Sequence, residues 1–155
     1  MTRIVRASRK HIGPMANLMA ASPLLRRYGV TVALAKAGLT RAFGRRDTVF
    51  VAAESRAVVG LAWFIATPAL DHSTYLHLLL VAESHQSRGL GALLLARGEQ
   101  RARKSGCRHM IFLVTKSNRR ARAFYERHGY THVGDLPGFV RPEIDETLYL
   151  KSWGT

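Results

Sequence analysis

Leu78-Leu79-Leu80-Val81-Ala82-Glu83-Ser84-His85-Gln86-Ser87-Arg88-Gly89-Leu90-Gly91-Ala92-Leu93-Leu94-Leu95 is the stretch on which the reading of this chain turns. It begins as a continuous apolar run, as expected of a strand buried on both faces. It then passes through a polar turn and ends in an amphipathic, helix-like pattern. The turn Gln86-Ser87-Arg88-Gly89-Leu90-Gly91 contains no acidic residue. Without Cβ atoms at Gly89 and Gly91, backbone N–H groups can gather into one concavity that a ligand can approach closely. The helix that follows adds its own unpaired N–H groups and a partial positive charge. Such a strand, turn and helix start suit a pyrophosphate.

The spacing narrows the choice of ligand. A Walker loop needs a lysine and a hydroxyl residue after its last glycine, and this turn has neither. A dinucleotide fingerprint needs a third glycine three residues after Gly91, where Leu94 stands. What remains is Gln-x-x-Gly-x-Gly behind an apolar strand.

Working outward, Thr48 to Ala53 and Ala57 to Ala66 read as a strand pair joined by a turn at Glu54-Ser55-Arg56. A loop from Thr67 to His72 leads into the strand from Tyr75 to Val81. Upstream, Thr2 to Ala7 reads as an edge strand and Ser8 as an N-cap. Ile12, Met15, Leu18 and Met19 give helical spacing from Lys10 to Ala21. Leu24 to Gly29 reads as a loop, which could touch a substrate or pack its leucines on the core. A second helix is predicted from Thr31 to about Phe43, weakened by Gly38. Downstream, the helix after Gly91 stops at Gly106 with Leu94, Leu95 and Gly98 inward. Met110 to Thr115 is a buried strand. Ala121, Phe124, Tyr125 and His128 form the inner face of a helix begun by Asn118 and ended by Gly129. Tyr130 to Val133 and Glu146 to Leu150 are the last strands, with Pro137 and Pro142 in the loop between them.

Composition sets bounds. At 155 residues, 47% hydrophobic and 22% charged, the chain suits a single domain, 1–155, with a proper core. No apolar run approaches a membrane span, and the N-terminus has no apolar core of a signal peptide. One cysteine, Cys107, excludes an internal disulfide and fits a cytoplasmic protein. The net charge of +14 is mostly arginine. It could favour an acidic partner such as RNA, or it could be a solvated surface. Basic residues scattered along the chain rather than gathered in one run favour the solvated surface. The oligomeric state stays open, a homodimer included.

A second motif is more specific than the glycine turn. Asn118-Arg119-Arg120-Ala121-Arg122-Ala123-Phe124-Tyr125-Glu126-Arg127-His128-Gly129-Tyr130 resembles the pattern Asn-x-x-Ala-x-x-Phe-Tyr-Glu-x-x-Gly-Tyr/Phe of the GNAT superfamily of N-acetyltransferases. Gln86, Gly89 and Gly91 resemble the coenzyme A loop of the same family, and the element order is similar over nearly the whole chain. The resemblance implies an α/β (α+β) fold: a mixed, mostly antiparallel sheet splayed between its fourth and fifth strands and flanked by helices. It implies acetyl-CoA as cofactor. It implies pyrophosphate contacts from Gln86, Ser87, Arg88, Gly89, Leu90, Gly91 and Ala92. Backbone groups around Leu79 and Val81 would hold the thioester arm, Asn118 would contact the pantetheine and Phe124 would pack near the cofactor. Tyr125 would face the thioester sulfur.

The chemistry of these residue types fits acetyl transfer to a small-molecule or protein amine. A phenol with a pKa of about 10 is protonated at neutral pH and can give its proton to a leaving thiolate. Its competing reading is a buried aromatic with its hydroxyl on a backbone group. The amine must first lose a proton: at a pKa of about 10.4 this costs about 5 kcal/mol at neutral pH, against about 1.4 for an α-amine near 8. His77, on the face of Tyr75 and Leu79, is the candidate base in a partly buried site. Its competing reading is a hydrogen-bonded core histidine. Arylalkylamine-type members of the family carry a histidine at the matching place. His72, Glu83 and His85 are weaker candidates. A covalent route through Cys107 is disfavoured, because it lies beyond the far end of the helix. No histidine–carboxylate spacing suggests a metal. A reading from another class is a non-catalytic acyl-CoA sensor or RNA-docking module on the same fold.

Overall fold

A computed structural model describes residues 1–154. The strands are β1 (Thr2–Arg6), β2 (Thr48–Glu54), β3 (Ala57–Ala66), β4 (Thr74–Val81), β5 (His109–Thr115), β6 (Thr131–Arg141) and β7 (Ile144–Ser152). The helices are α1 (Ile12–Ala21), α2 (Pro23–Arg27), α3 (Val32–Gly44), a single turn α4 (Ala69–His72), α5 (Leu90–Lys104) and α6 (Arg119–Arg127). The seven strands form a mixed, mostly antiparallel sheet. The chain divides into two compact units, 1–65 with 78–101 and 66–77 with 102–155.

In the first unit β1, β2 and β3 form an antiparallel meander, with Val5 opposite Val51 and Val51 opposite Leu61. Alternation along the strands gives the sheet two buried faces. Val49, Val51, Leu61 and Trp63 pack with Met15, Ala16 and Met19 of α1 and Ala35, Leu39 and Ala42 of α3. Trp63 Nε1 donates to Asp47 Oδ2 at 3.0 Å, so its polar end is satisfied inside that core. The other face takes α5. A Cβ at Gly60 of β3 would lie 3.2 Å from both the Leu80 carbonyl oxygen and Leu94 Cδ1, which is why this strand carries a glycine.

In the second unit, β4 and β5 run parallel, paired through Thr74–Met110 and Tyr75–Ile111 only. That short ladder is the splay between the fourth and fifth strands. β7 pairs antiparallel with β5 along its whole length and with β6 on its other side. Met110, Phe112, Val114, Thr147 and Tyr149 are buried on one face together with Tyr125 of α6 and Tyr130.

Four local expectations are corrected. Leu24 to Gly29 does not stay a loop: Ser22 Oγ accepts from the Leu25 N–H at 3.3 Å and Pro23 starts the short helix α2. The segment before β4 is not an open loop but a left-handed turn, with φ of 53° at Leu70, 59° at Asp71 and 54° at His72. Asp71 accepts from Arg108 at 2.8 Å, which ties that turn down. β6 does not end at Val133: it runs on through Pro137, since an edge strand tolerates a residue without an N–H, and its register slips there. β4 is not buried on both faces: Leu78 to Val81 are half-buried and His77 is exposed.

Candidate active site

The glycine turn lies in the first unit. A short 3₁₀ turn, Glu83–His85, follows β4, and the Ala82 N–H donates to the Val59 carbonyl at 2.8 Å, which fixes where the strand ends. Ser87 and Gly89 have φ of 62° and 80°. Left-handed positions occur in the backbone turns that gather N–H groups toward an anion. Gly91, expected within the turn, is instead in the first turn of α5, so Gly89 alone supplies glycine's left-handed conformation. Arg88 is exposed, Leu90 is buried, and Gly91 and Ala92 are half-buried.

The side chain of Gln86 folds back on the strand: its Nε2 donates to the Val81 carbonyl at 3.2 Å. It thereby braces the turn against β4. His85 is also engaged. Its Nε2 lies 3.2 Å from Glu54 Oε2 and its Nδ1 2.7 Å from Ser84 Oγ. Glu54 is held below the usual carboxylate range, first by the Thr2 hydroxyl and then by His85. Both ring nitrogens of His85 are thereby engaged, which leaves neither to take a substrate proton.

Asn118, Phe124, Tyr125 and His77 lie in the second unit. Asn118 is the N-cap of α6, its Oδ1 accepting from the Ala121 N–H at 3.1 Å. Its Nδ2 faces no partner demand from that cap and can donate to a ligand. The ring of Phe124 stands edge-on to Tyr125 at 5.2 Å and lies 4.4 Å from His128. Tyr125 is 7% exposed, with Phe112 at 4.4 Å and Tyr130 at 5.9 Å between ring centroids. Burial pushes its phenol well above the ordinary value, and no hydrogen bond or charge contributes to that shift. The hydroxyl is therefore protonated throughout the neutral range. His77 is exposed, where a partly buried position was expected, and its ring centroid is 6.1 Å from that of Tyr75. It is not a core histidine.

One residue passed over in the sequence is Glu146, a carboxylate only 3% exposed. The available signal was its alternation with Leu148 and Leu150, which puts an acidic residue on an apolar face.

Residues 27–130 match the family described as Acetyltransferase (GNAT) family. The chain belongs to that family. Its members take the acetyl group from acetyl-CoA, and this chain has the mixed sheet of that fold. An acetyltransferase of Agrobacterium fabrum is 40% identical over 62 residues, which are 40% of this chain and 44% of that protein. The ribosomal-protein-S18-alanine N-acetyltransferase of Escherichia coli superposes with a TM-score of 0.80 at 18% identity, covering 100% of this chain and 96% of the other. A Salmonella typhimurium protein solved with its cofactor acetyl-CoA gives 0.79 at 18% identity, covering 100% and 95%. At such identities the structural likeness speaks for the fold. The chain spans less than half the length of the curated Agrobacterium relative. No described helix is long and apolar enough to cross a membrane.

Proposed function

We propose that the chain moves the acetyl group of acetyl-CoA to a primary amine by direct attack in a ternary complex. The observation that carries this reading is Tyr125: a buried, protonated phenol at the centre of the Asn118 to Tyr130 motif, inside the matched residues 27–130. The turn from Gln86 to Ala92 binds the pyrophosphate through its backbone N–H groups. Backbone groups of Leu79 and Val81 and the Asn118 amide hold the arm, with Phe124 packed near it. A main-chain N–H polarises the thioester carbonyl. The amine gives up a proton, its lone pair attacks the carbonyl carbon and the C–N bond forms. The C–S bond breaks as the sulfur takes the Tyr125 proton; of the two protons left on nitrogen, one stays as the amide N–H and the other is lost on collapse and restores the Tyr125 phenol. The products are the acetylamide, coenzyme A and one proton. Both a small amine and a protein amine, as in the Escherichia coli structural neighbour, suit the chemistry.

Coenzyme A release over a panel of amines tests this reading. Release that depends on the amine is the expected result. Tight acetyl-CoA binding with no release on any amine would instead favour the non-catalytic module, and so would retention on RNA that survives moderate salt.

His77 is proposed as the base that takes the amine proton. If so, kcat/KM rises with pH through a histidine ionisation, and His77→Ala removes that limb. The variant should lose about tenfold or more on high-pKa amines and less on α-amines, whose deprotonation costs about 3 kcal/mol less. A limb that persists on every amine in His77→Ala would move the base elsewhere.

A further inference from the structure

We infer that Tyr149 is a positioning residue for the acetyl transfer: its hydroxyl ties α6 to β7 through Arg122 and Glu126 and so holds the Tyr125 phenol in its aim. This rests on the role proposed for Tyr125 above.

All of these residues lie in the second unit. Tyr149 stands opposite Phe112 of β5, and its fully buried ring stacks on that of Phe112 at 6.1 Å between centroids. The hydroxyl meets α6 twice. It accepts from Arg122 Nε at 3.1 Å and donates to Glu126 Oε2 at 2.7 Å. Positions 122 and 126 are one turn apart, so both bonds fall on one edge of the helix. Arg122 also donates through a second nitrogen to the Lys116 carbonyl at 3.1 Å, just past the end of β5. The C-terminal end of α6 is tied separately, by Lys151 Nζ donating to the His128 carbonyl at 2.9 Å.

Packing does not require the Tyr149 oxygen. A phenylalanine ring would fill the same space against Phe112, and a buried hydroxyl costs free energy unless it is bonded. What the oxygen adds is two bonds to charged groups, which are of the stronger kind. Arg122 responds to one of them: its guanidinium is raised above its ordinary value, first by the bond to Tyr149. Glu126, within the Asn118 to Tyr130 motif, thereby has a task of its own. Tyr125 lies between Arg122 and Glu126 on the helix, so a roll of α6 moves its side chain directly. No hydrogen bond contributes to the raised pKa of its own phenol. Its aim therefore depends on ring walls and on the seating of α6. The walls include Phe112 at 4.4 Å, Phe124 at 5.2 Å and Tyr149 at 6.5 Å. Ring contacts tolerate sliding, whereas two hydrogen bonds fix both distance and direction. A misplacement of about 1 Å can cost on the order of 10²-fold in rate.

The test uses the full chain with labelled tyrosine ring carbons and bound coenzyme A. NMR reads the Tyr125 resonance, assigned by its loss in Tyr125→Phe. Tyr149→Phe should shift or split that resonance. With a ring still in the Tyr149 position, the change reports movement of Tyr125 rather than loss of a neighbour. The variant should also lower the single-turnover rate about tenfold on an amine from the panel above, with acetyl-CoA affinity near wild type. Added to Tyr125→Phe, it should cost nothing further, because no hydroxyl is left to aim. Glu126 is exposed and gives a second route that spares the core. Glu126→Leu should reproduce both effects, and Glu126→Gln, which keeps an accepting oxygen, should stay near wild type. A Tyr125 resonance unmoved in Tyr149→Phe and Glu126→Leu overturns the inference. So does an unchanged rate, or a rate loss of equal size in the wild-type and Tyr125→Phe backgrounds. If no amine reacts, or if Tyr125→Phe reacts as fast as wild type, the proposed function fails and the resonance alone decides the tie.

Discussion

Tyr125→Phe is expected to lower kcat by about 10²–10⁴-fold, the usual effect of removing a general acid. The substitution deletes one oxygen and keeps the ring that packs on Phe112 at 4.4 Å and Phe124 at 5.2 Å. Since no hydrogen bond contributes to the phenol's raised pKa, losing the hydroxyl should cost little stability, and acetyl-CoA affinity should stay near wild type. The raised pKa has two consequences. The group carries its proton at every pH at which the enzyme would be assayed, so the wild type should show no alkaline loss of kcat from this residue in the neutral range. It is also a weaker acid than a free phenol, which places the expected loss toward the lower end of that range. The single-turnover rate is the quantity to measure, because slow product release would hide the chemical step in kcat. An unchanged single-turnover rate in a folded variant means that solvent, not Tyr125, protonates the thiolate.

Gly98→Ala is expected to destabilise the fold, although alanine in a helix is ordinarily better than glycine by up to about 1 kcal/mol. The two effects oppose each other, and geometry decides between them. The added Cβ on α5 would collide with the Cζ end of the Phe64 ring. Phe64 is 2% exposed, so its ring has little room to swing aside. Overpacking of this kind costs about 1–3 kcal/mol. At about 2–4 °C per kcal/mol for a chain of this size, the melting temperature should fall by several degrees. Phe64→Leu in the Gly98→Ala background should recover part of the loss, because the smaller side chain vacates the space. A melting temperature that rises in Gly98→Ala would show that the ring moves freely and that helix propensity wins.

The elements legible in the sequence are those whose cause is local. The turn from Gln86 to Ala92 was readable because glycine chemistry and an apolar strand act within a few residues. The α6 motif was readable because its cap, inner face and terminal glycine follow the 3.6-residue period. The misreadings also have nameable causes. Ser22-Pro23 is a helix start, Ser cap and Pro in the first turn, although the residues that follow it read as a loop in one dimension. Pro137 was read as a loop signal, yet β6 lies at the end of the strand order, where a missing N–H interrupts no ladder. Gly91 looks like a turn residue in one dimension, and its place in α5 depends on where the chain leaves Gly89.

The sequence by itself determined the order of the strands and of the longer helices, the family, and the residue types available for acetyl transfer. Periodicity, capping and short motifs are properties of neighbours along the chain. Only the tertiary structure decided that His77 is exposed, that His85 is held by Glu54 from 31 positions away, and that Glu146 is buried on the face shared by Tyr75 and His77. Burial and register are set by strands that meet across long separations. Pairing Thr115 with Glu146 brings together residues whose spacing along the chain carries no period. A shift of one residue in that register would turn the carboxylate to the opposite face.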